Sequence, residues 1–246
     1  MILLALGLIG FGVGDLVRWS PERNVSAART AVAAGAGAAA VALVAALSGM
    51  APLSVLLAAA LALALLGLWL GYDLIPGADK KPELALGLVL AVVLCLVGVS
   101  GAVDPVAGDL ERWYGALAFG FTRSVSVDQF LLGVGATLFI LATGNRLVRY
   151  TLAATKSPAD EGEIRLRGGR LLGPMERLLV AASVVAGGFA GAGFVIAAKG
   201  LLRFRELRDV DASGPKLDSI TEYFLIGTFT SVLIAAVAAV LVLAAG

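Results

Sequence analysis

The chain has 246 residues, 59% hydrophobic and 15% charged, with mean hydropathy +0.95 and a formal net charge of +1. An average soluble domain is roughly 45–50% apolar and about 25% charged, so this chain has too little polar surface to coat a water-soluble globule. The absence of histidine removes the usual base near neutral pH and the commonest metal ligand, which argues against zinc and triad chemistry; the lone Cys95 excludes an intramolecular disulfide.

A bilayer core of about 30 Å takes about 20 apolar residues as a helix, and lipid admits only helices or closed barrels. Barrel-like alternation is absent. The expected fold is therefore all-α, a polytopic transmembrane helical bundle of about seven hydrophobic helices forming one integral membrane domain over 1–246. The first run, 2–17, is short, contains Asp15 and is followed by Arg18. It lacks a charged n-region and an Ala-x-Ala site, so it is expected to be retained. The second, 31–47, is rich in Ala and Gly, which suits packing against other helices. About four residues join the second run to the third, 54–72, which predicts an antiparallel hairpin. A turn-rich stretch with Pro76, Gly77 and Pro82 leads to the fourth run, 84–103, where Cys95 is expected as a small buried hydrophobe.

Between 105 and 121, Val106, Leu110, Trp113, Tyr114, Leu117 and Phe121 recur at helical spacing opposite Asp109, Glu111 and Arg112, the pattern of an amphipathic helix lying in the membrane interface. The fifth span is 130–143. The basic loop 146–177 follows, with Arg146, Arg149, Lys156, Arg165, Arg167, Arg170 and Arg177, and the positive-inside rule makes it cytoplasmic. The sixth run is 178–198 and the seventh 220–245.

Counting cations tests the topology. If all seven runs cross and the N-terminus is outside, twelve Lys and Arg lie inside and seven outside, five of the seven being Lys199, Arg203, Arg205, Arg208 and Lys216. If the glycine-rich sixth run is instead re-entrant, the tally becomes seventeen against two. A full crossing is the simpler reading of a 21-residue run, and re-entry is the alternative.

Ionisable groups at membrane depth are candidates for function because burying them costs a few kcal/mol or more unless they are paired. Asp15 is one, and it also reads as an interfacial carboxylate beside Arg18. Lys199 ends the sixth run, where it can snorkel to the headgroups. Glu176 after Pro174 and Glu222 three residues after Ser219 both read as caps at helix starts. Either could instead pair with Lys199 or Arg203. Asn145 either ends the fifth span or joins two helices. Gly10/Gly14 and Gly187/Gly191 are small-xxx-small pairs of low specificity in a chain with 31 glycines.

The stretch from Gly169 to Leu178 (Gly-Arg-Leu-Leu-Gly-Pro-Met-Glu-Arg-Leu), then Ala197-Ala198-Lys199 with Arg203-Phe204 and Glu206, then Glu222 to Thr228 (Glu-Tyr-Phe-Leu-Ile-Gly-Thr), resembles the C-terminal part of a family of uncharacterised prokaryotic polytopic membrane proteins. That resemblance covers about the last hundred residues; it implies a shared membrane module and points to Asn145, Glu176, Arg177, Lys199, Arg203 and Glu222.

No carboxylate cluster of the kind that holds magnesium lies near a span, no glycine-rich loop precedes Lys-Ser or Lys-Thr, and the basic loop lacks interleaved aromatics. No metal, cofactor or nucleic acid is expected, and enzymatic activity is not the favoured reading. Two functions remain. One is a transporter or channel-like protein moving a small solute or ion along a path lined by Asp15, Asn145 and the charges about the sixth run. The other is a membrane-embedded scaffold or complex subunit that binds a protein partner or anionic lipids through its basic loop. Membrane lipids and a homo-oligomer or protein partner are the expected associates, in the inner (plasma) membrane with the N-terminus outside.

Overall fold

The structure, a computed structural model, describes residues 1–18, 26–75, 81–102, 105–117, 119–120, 124–155, 169–208 and 216–246; residues 102, 169–171, 202–208 and 216–221 are described as backbone only. Ten α-helices lie among the described residues: α1 Ile2–Val17, α2 Ala27–Leu47, α3 Pro52–Tyr72, α4 Pro82–Val99, α5 Gly108–Ala116, α6 Val127–Leu141, α7 Thr143–Ala154, α8 Gly169–Val185, α9 Phe189–Arg208 and α10 Lys216–Leu243. Local chemistry sets several starts. Ser26 Oγ accepts from the Arg29 amide and Ser126 Oγ from the Gln129 amide, while Pro52 and Pro82 occupy first turns, where a missing N–H costs nothing.

Among the described residues four helices are long and apolar enough to cross a membrane: α2, α3, α4 and the Glu222–Leu243 part of α10. A fifth span results if α6 and α7, bent by 45° about Ala142, count as one. The expected count of about seven is therefore not reached. α1 has only 16 residues, and the sixth apolar run is not one helix.

The spans are built inside out relative to a soluble bundle. α2 buries Thr30, Ala33, Gly37, Val41 and Ala45 at three- and four-residue spacing and turns Val32 and Leu43 outward. α3 likewise buries Ala58 and Ala62 and exposes Leu53, Leu56, Leu57 and Leu68. Small residues let backbones approach, and the large apolar ones face where lipid would be. Only 28% of each spanning window is buried, one seam per helix. Cys95 lies on the outward side of α4, so its expected burial is corrected: on a spanning helix an apolar position is as well placed facing lipid as facing protein.

α1 is the exception, because 13 of its 16 residues are buried. α2, α3, α4 and α6 surround it. Its glycines set the spacing. A Cβ on Gly12 would lie 2.5 Å from Leu138 Cβ and 2.7 Å from its carbonyl carbon, and one on Gly37 would lie 2.8 Å from the Gly10 carbonyl oxygen. Gly135 meets Ala5, Leu8 and Ile9 while Gly12 meets Leu138, so α1 and α6 run in the same direction. Their C-terminal ends, with those of α3 and α7, mark one end of the bundle, called here the charged end.

α5 sits at the opposite end, tied on by the Ala107 amide donating to the Ser48 carbonyl at 2.8 Å. It buries Tyr114 against Phe130 and exposes an Arg112–Asp109 pair, over 108–116 rather than 105–121; Trp113, expected on the apolar face, is half-exposed, its ring tilted against Phe130 at 6.4 Å between centroids.

The sixth run is a helical hairpin. α8 ends at Val185, Gly187 adopts φ +73° in the region that favours glycine, and α9 starts at Phe189. A Cβ on Gly191 would lie 3.1 Å from Ser183 Oγ, and Lys199 Nζ lies 2.5 Å from Glu176 Oε2, so α9 folds back antiparallel along α8. The continuous helix over 178–198 is thereby corrected, and the cause is the turn at Ala186-Gly187-Gly188, where Gly187 takes a positive φ.

Candidate functional site

Two polar clusters lie near the charged end. The first centres on Asp15, whose side chain is 1% exposed. Asp15 Oδ1 accepts from Arg18 Nη2 at 3.0 Å and Arg146 Nη1 at 2.6 Å, and Oδ2 accepts from Trp69 Nε1 at 2.9 Å. Both arginines reach a second carboxylate, Asp73: Arg18 Nη1 lies 3.0 Å from Oδ2, and Arg146 Nη2 contacts the same oxygen. Tyr150 donates to Asp73 Oδ1 at 2.6 Å and accepts from Arg146 at 2.9 Å. Arg18 also donates to the Leu70 carbonyl, and the Arg146 guanidinium stacks 4.5 Å above the Trp69 ring.

The bonded core of this cluster pairs two carboxylates with two guanidiniums, and a third guanidinium, Arg149, acts on both carboxylates through space. That pairing is what permits the burial, since charges taken out of water are tolerated only when paired and hydrogen-bonded. Asp73 is one residue past α3 and more exposed. Burial pushes its carboxyl above the usual carboxylate range, while the Tyr150 hydrogen bond acts in the opposite direction.

The second cluster links the α6–α7 bend to the hairpin. At the bend the Asn145 amide bonds back to Ala142 rather than Leu141. Side chains fill the gap: Asn145 Nδ2 donates to the Leu141 carbonyl at 3.4 Å and Arg177 Nε to the Ile140 carbonyl at 3.2 Å. Filling freed carbonyls in this way is how a broken helix survives in lipid. Arg177, 3% exposed, also donates to Asn145 Oδ1 and, at 3.4 Å, to Ser231 Oγ on α10. Beside it Glu176 pairs with Lys199, and a small cleft between α8, α9 and α10 has room for about one water molecule.

Of the seven sequence-derived candidates, Asn145, Glu176, Arg177 and Lys199 come together here, and Asp15 lies in the first cluster. Glu222 is exposed and joins neither cluster. The side chain of Arg203 lies outside the described residues, as does 156–168 in the middle of the expected basic loop. Two capping expectations are corrected. α8 starts at Gly169 and α10 at Lys216, so Glu176 and Glu222 are interior helical residues, and Pro174 lies inside α8, where it removes a helix hydrogen bond. Sequence reasoning placed Arg18 beside Asp15 but missed Trp69, Asp73 and Tyr150, and read Arg146 only as topological charge. The available signal was Asp15 itself, because a carboxylate in an apolar helix requires buried cations.

Fold and clusters together define a class: among the described residues, an all-helical membrane protein with four to five stretches long and apolar enough to span and with buried, paired charges. No protein-family model matches the chain, and comparisons with curated proteins and with solved structures return no match.

Proposed function

We propose that this chain is a multi-pass protein of the prokaryotic plasma membrane acting as a scaffold or complex subunit, with its charged end facing the cytoplasm. The observation that carries this reading is the engagement of both Asp15 oxygens, by two guanidiniums and an indole from three other positions in the chain, which makes the carboxylate a tie between helices. Such a centre holds helices together. The inside-out spans and the small cleft at Arg177 fit a solid bundle in the same way.

In this reading the α8–α9 hairpin is re-entrant. Each arm from Glu176 or Lys199 to the glycine tip is eleven residues, about 16 Å of helix, close to half the hydrocarbon thickness. Re-entry assigns seventeen of the 19 Lys and Arg to segments at the charged end, leaving Arg112 and Arg123, which by the positive-inside rule supports a cytoplasmic location. The segments that resemble the polytopic family fall at the start of α8, the end of α9 and the start of α10, the arrangement a shared hairpin module would have.

Reconstitution tests the proposal. In liposomes the purified protein should leave ion and solute flux at the protein-free level across a broad panel. A photo-crosslinking residue at the exposed Thr155 should give one discrete adduct in native membranes, with a partner or a second copy. Flux that Lys199→Met or Glu176→Gln alters would overturn the scaffold reading in favour of transport.

A further inference from the structure

In the hairpin cluster the cations outnumber the carboxylates. Arg177 and Lys199 line the cleft with one carboxylate, Glu176, and that carboxylate is engaged by Lys199. Among the described residues Arg177 hydrogen-bonds only to neutral groups, the Ile140 carbonyl, the Asn145 amide oxygen and the Ser231 hydroxyl, while Glu176 acts on its charge through space. A guanidinium carries five N–H donors. Three are used, one of them over a long 3.4 Å, so two remain along with a positive charge that no carboxylate contacts among the described residues.

The surroundings are two-sided. Val180, Val195, Ile196 and Val232 line the rest of the cleft, and the Lys199 and Glu176 side chains at its mouth are 22% and 17% exposed. A cationic pocket between helices at the cytoplasmic side, floored by aliphatic side chains, suits an amphipathic anion. Planar guanidinium forks favour phosphate oxygens in particular.

We propose that this cleft seats the phosphate of an anionic phospholipid, with Arg177, Lys199 and Ser231 donating to its oxygens and an acyl chain lying along the aliphatic floor. Because the cleft has room for about one water, the phosphate enters as Lys199 exchanges Glu176 for it. Glu176 is then a competitor for the site. The inference rests on the membrane reading above and extends the headgroup-binding role to specific residues.

The test is native mass spectrometry of protein extracted from vesicles containing equal phosphatidylglycerol and phosphatidylcholine. Wild type should retain phosphatidylglycerol preferentially. Lys199→Met should lower that retention and Glu176→Gln raise it, each about fivefold, the effect of one charge near the surface. A merely structural Glu176–Lys199 pair would not give opposite signs. Arg177→Gln should also lower retention; since Arg177 supports the helix bend and this variant can fail to fold, Ser231→Ala, with a smaller loss, and Glu176→Gln carry the test independently. Excess inorganic phosphate should displace nothing. Displacement by it would overturn the lipid assignment in favour of a soluble phosphate site, and equal retention of the two lipids, or retention that no variant changes, would overturn the proposal entirely. Neither failure touches the flux or crosslinking results, which do not depend on lipid class.

Discussion

α1 buries 13 of its 16 residues and bonds its one carboxylate to two guanidiniums, whereas α9 in the hairpin turns Phe189, Phe194 and Leu201 outward and its neighbour Arg177 hydrogen-bonds, among the described residues, only to neutral groups. Both segments are short and rich in glycine. In α1 the glycines admit neighbouring backbones on several sides. In the hairpin, Gly187 makes a turn and has nothing within 4 Å of its would-be Cβ. The buried polar groups therefore fall into two kinds: a set in which two guanidiniums bond to two carboxylates, and a set whose buried guanidinium hydrogen-bonds, among the described residues, only to neutral groups.

The sharpest way to break this comparison is to remove the central carboxylate. Asp15→Ala leaves Arg18 and Arg146 buried without their shared partner and should cost about 3–5 kcal/mol in a denaturation series in detergent. A loss under about 1 kcal/mol would mean that the cluster is wetter or weaker than described. Next in size is Gly12→Val, which drives a side chain into the Leu138 backbone and should cost about 1–3 kcal/mol or more, while Gly67→Ala, with open space around it, should be neutral or slightly stabilising. Trp69→Phe keeps the ring but withdraws the indole donor from Asp15, and a loss of about 1–3 kcal/mol should follow. Smallest is Glu176→Gln in the hairpin, about 1 kcal/mol or less by the same measurement, since Lys199 can snorkel outward once released. If that variant were as costly as Asp15→Ala, the distinction between the two regions would collapse.

Helix positions were legible in the sequence because apolar runs and their Pro and Ser boundaries are local. The all-α membrane bundle followed from them, as did the amphipathic α5. The hairpin was only half legible. Four glycines in one run were visible, but whether that run turns or crosses depends on what its second half meets, and Ser183 against Gly191 and Glu176 against Lys199 do so from the other arm. The Asp15 cluster was least legible: Asp15 stood out in its apolar run, yet Trp69 lies 54 residues away and Arg146 131 residues away. No spacing rule reaches across such separations. Glu176 and Glu222 were misplaced because Pro174 and Ser219 imitate helix starts, and both helices begin earlier.

Side-specific labelling of single cysteines in a Cys95→Ser background tests the re-entrant hairpin most directly. Thr155→Cys and Arg208→Cys should react from the cytoplasmic side and Pro105→Cys from the outside. Reaction of Arg208→Cys together with Pro105→Cys would mean that the sixth run crosses the membrane, contradicting the hairpin and the side assigned to the Arg177 cleft.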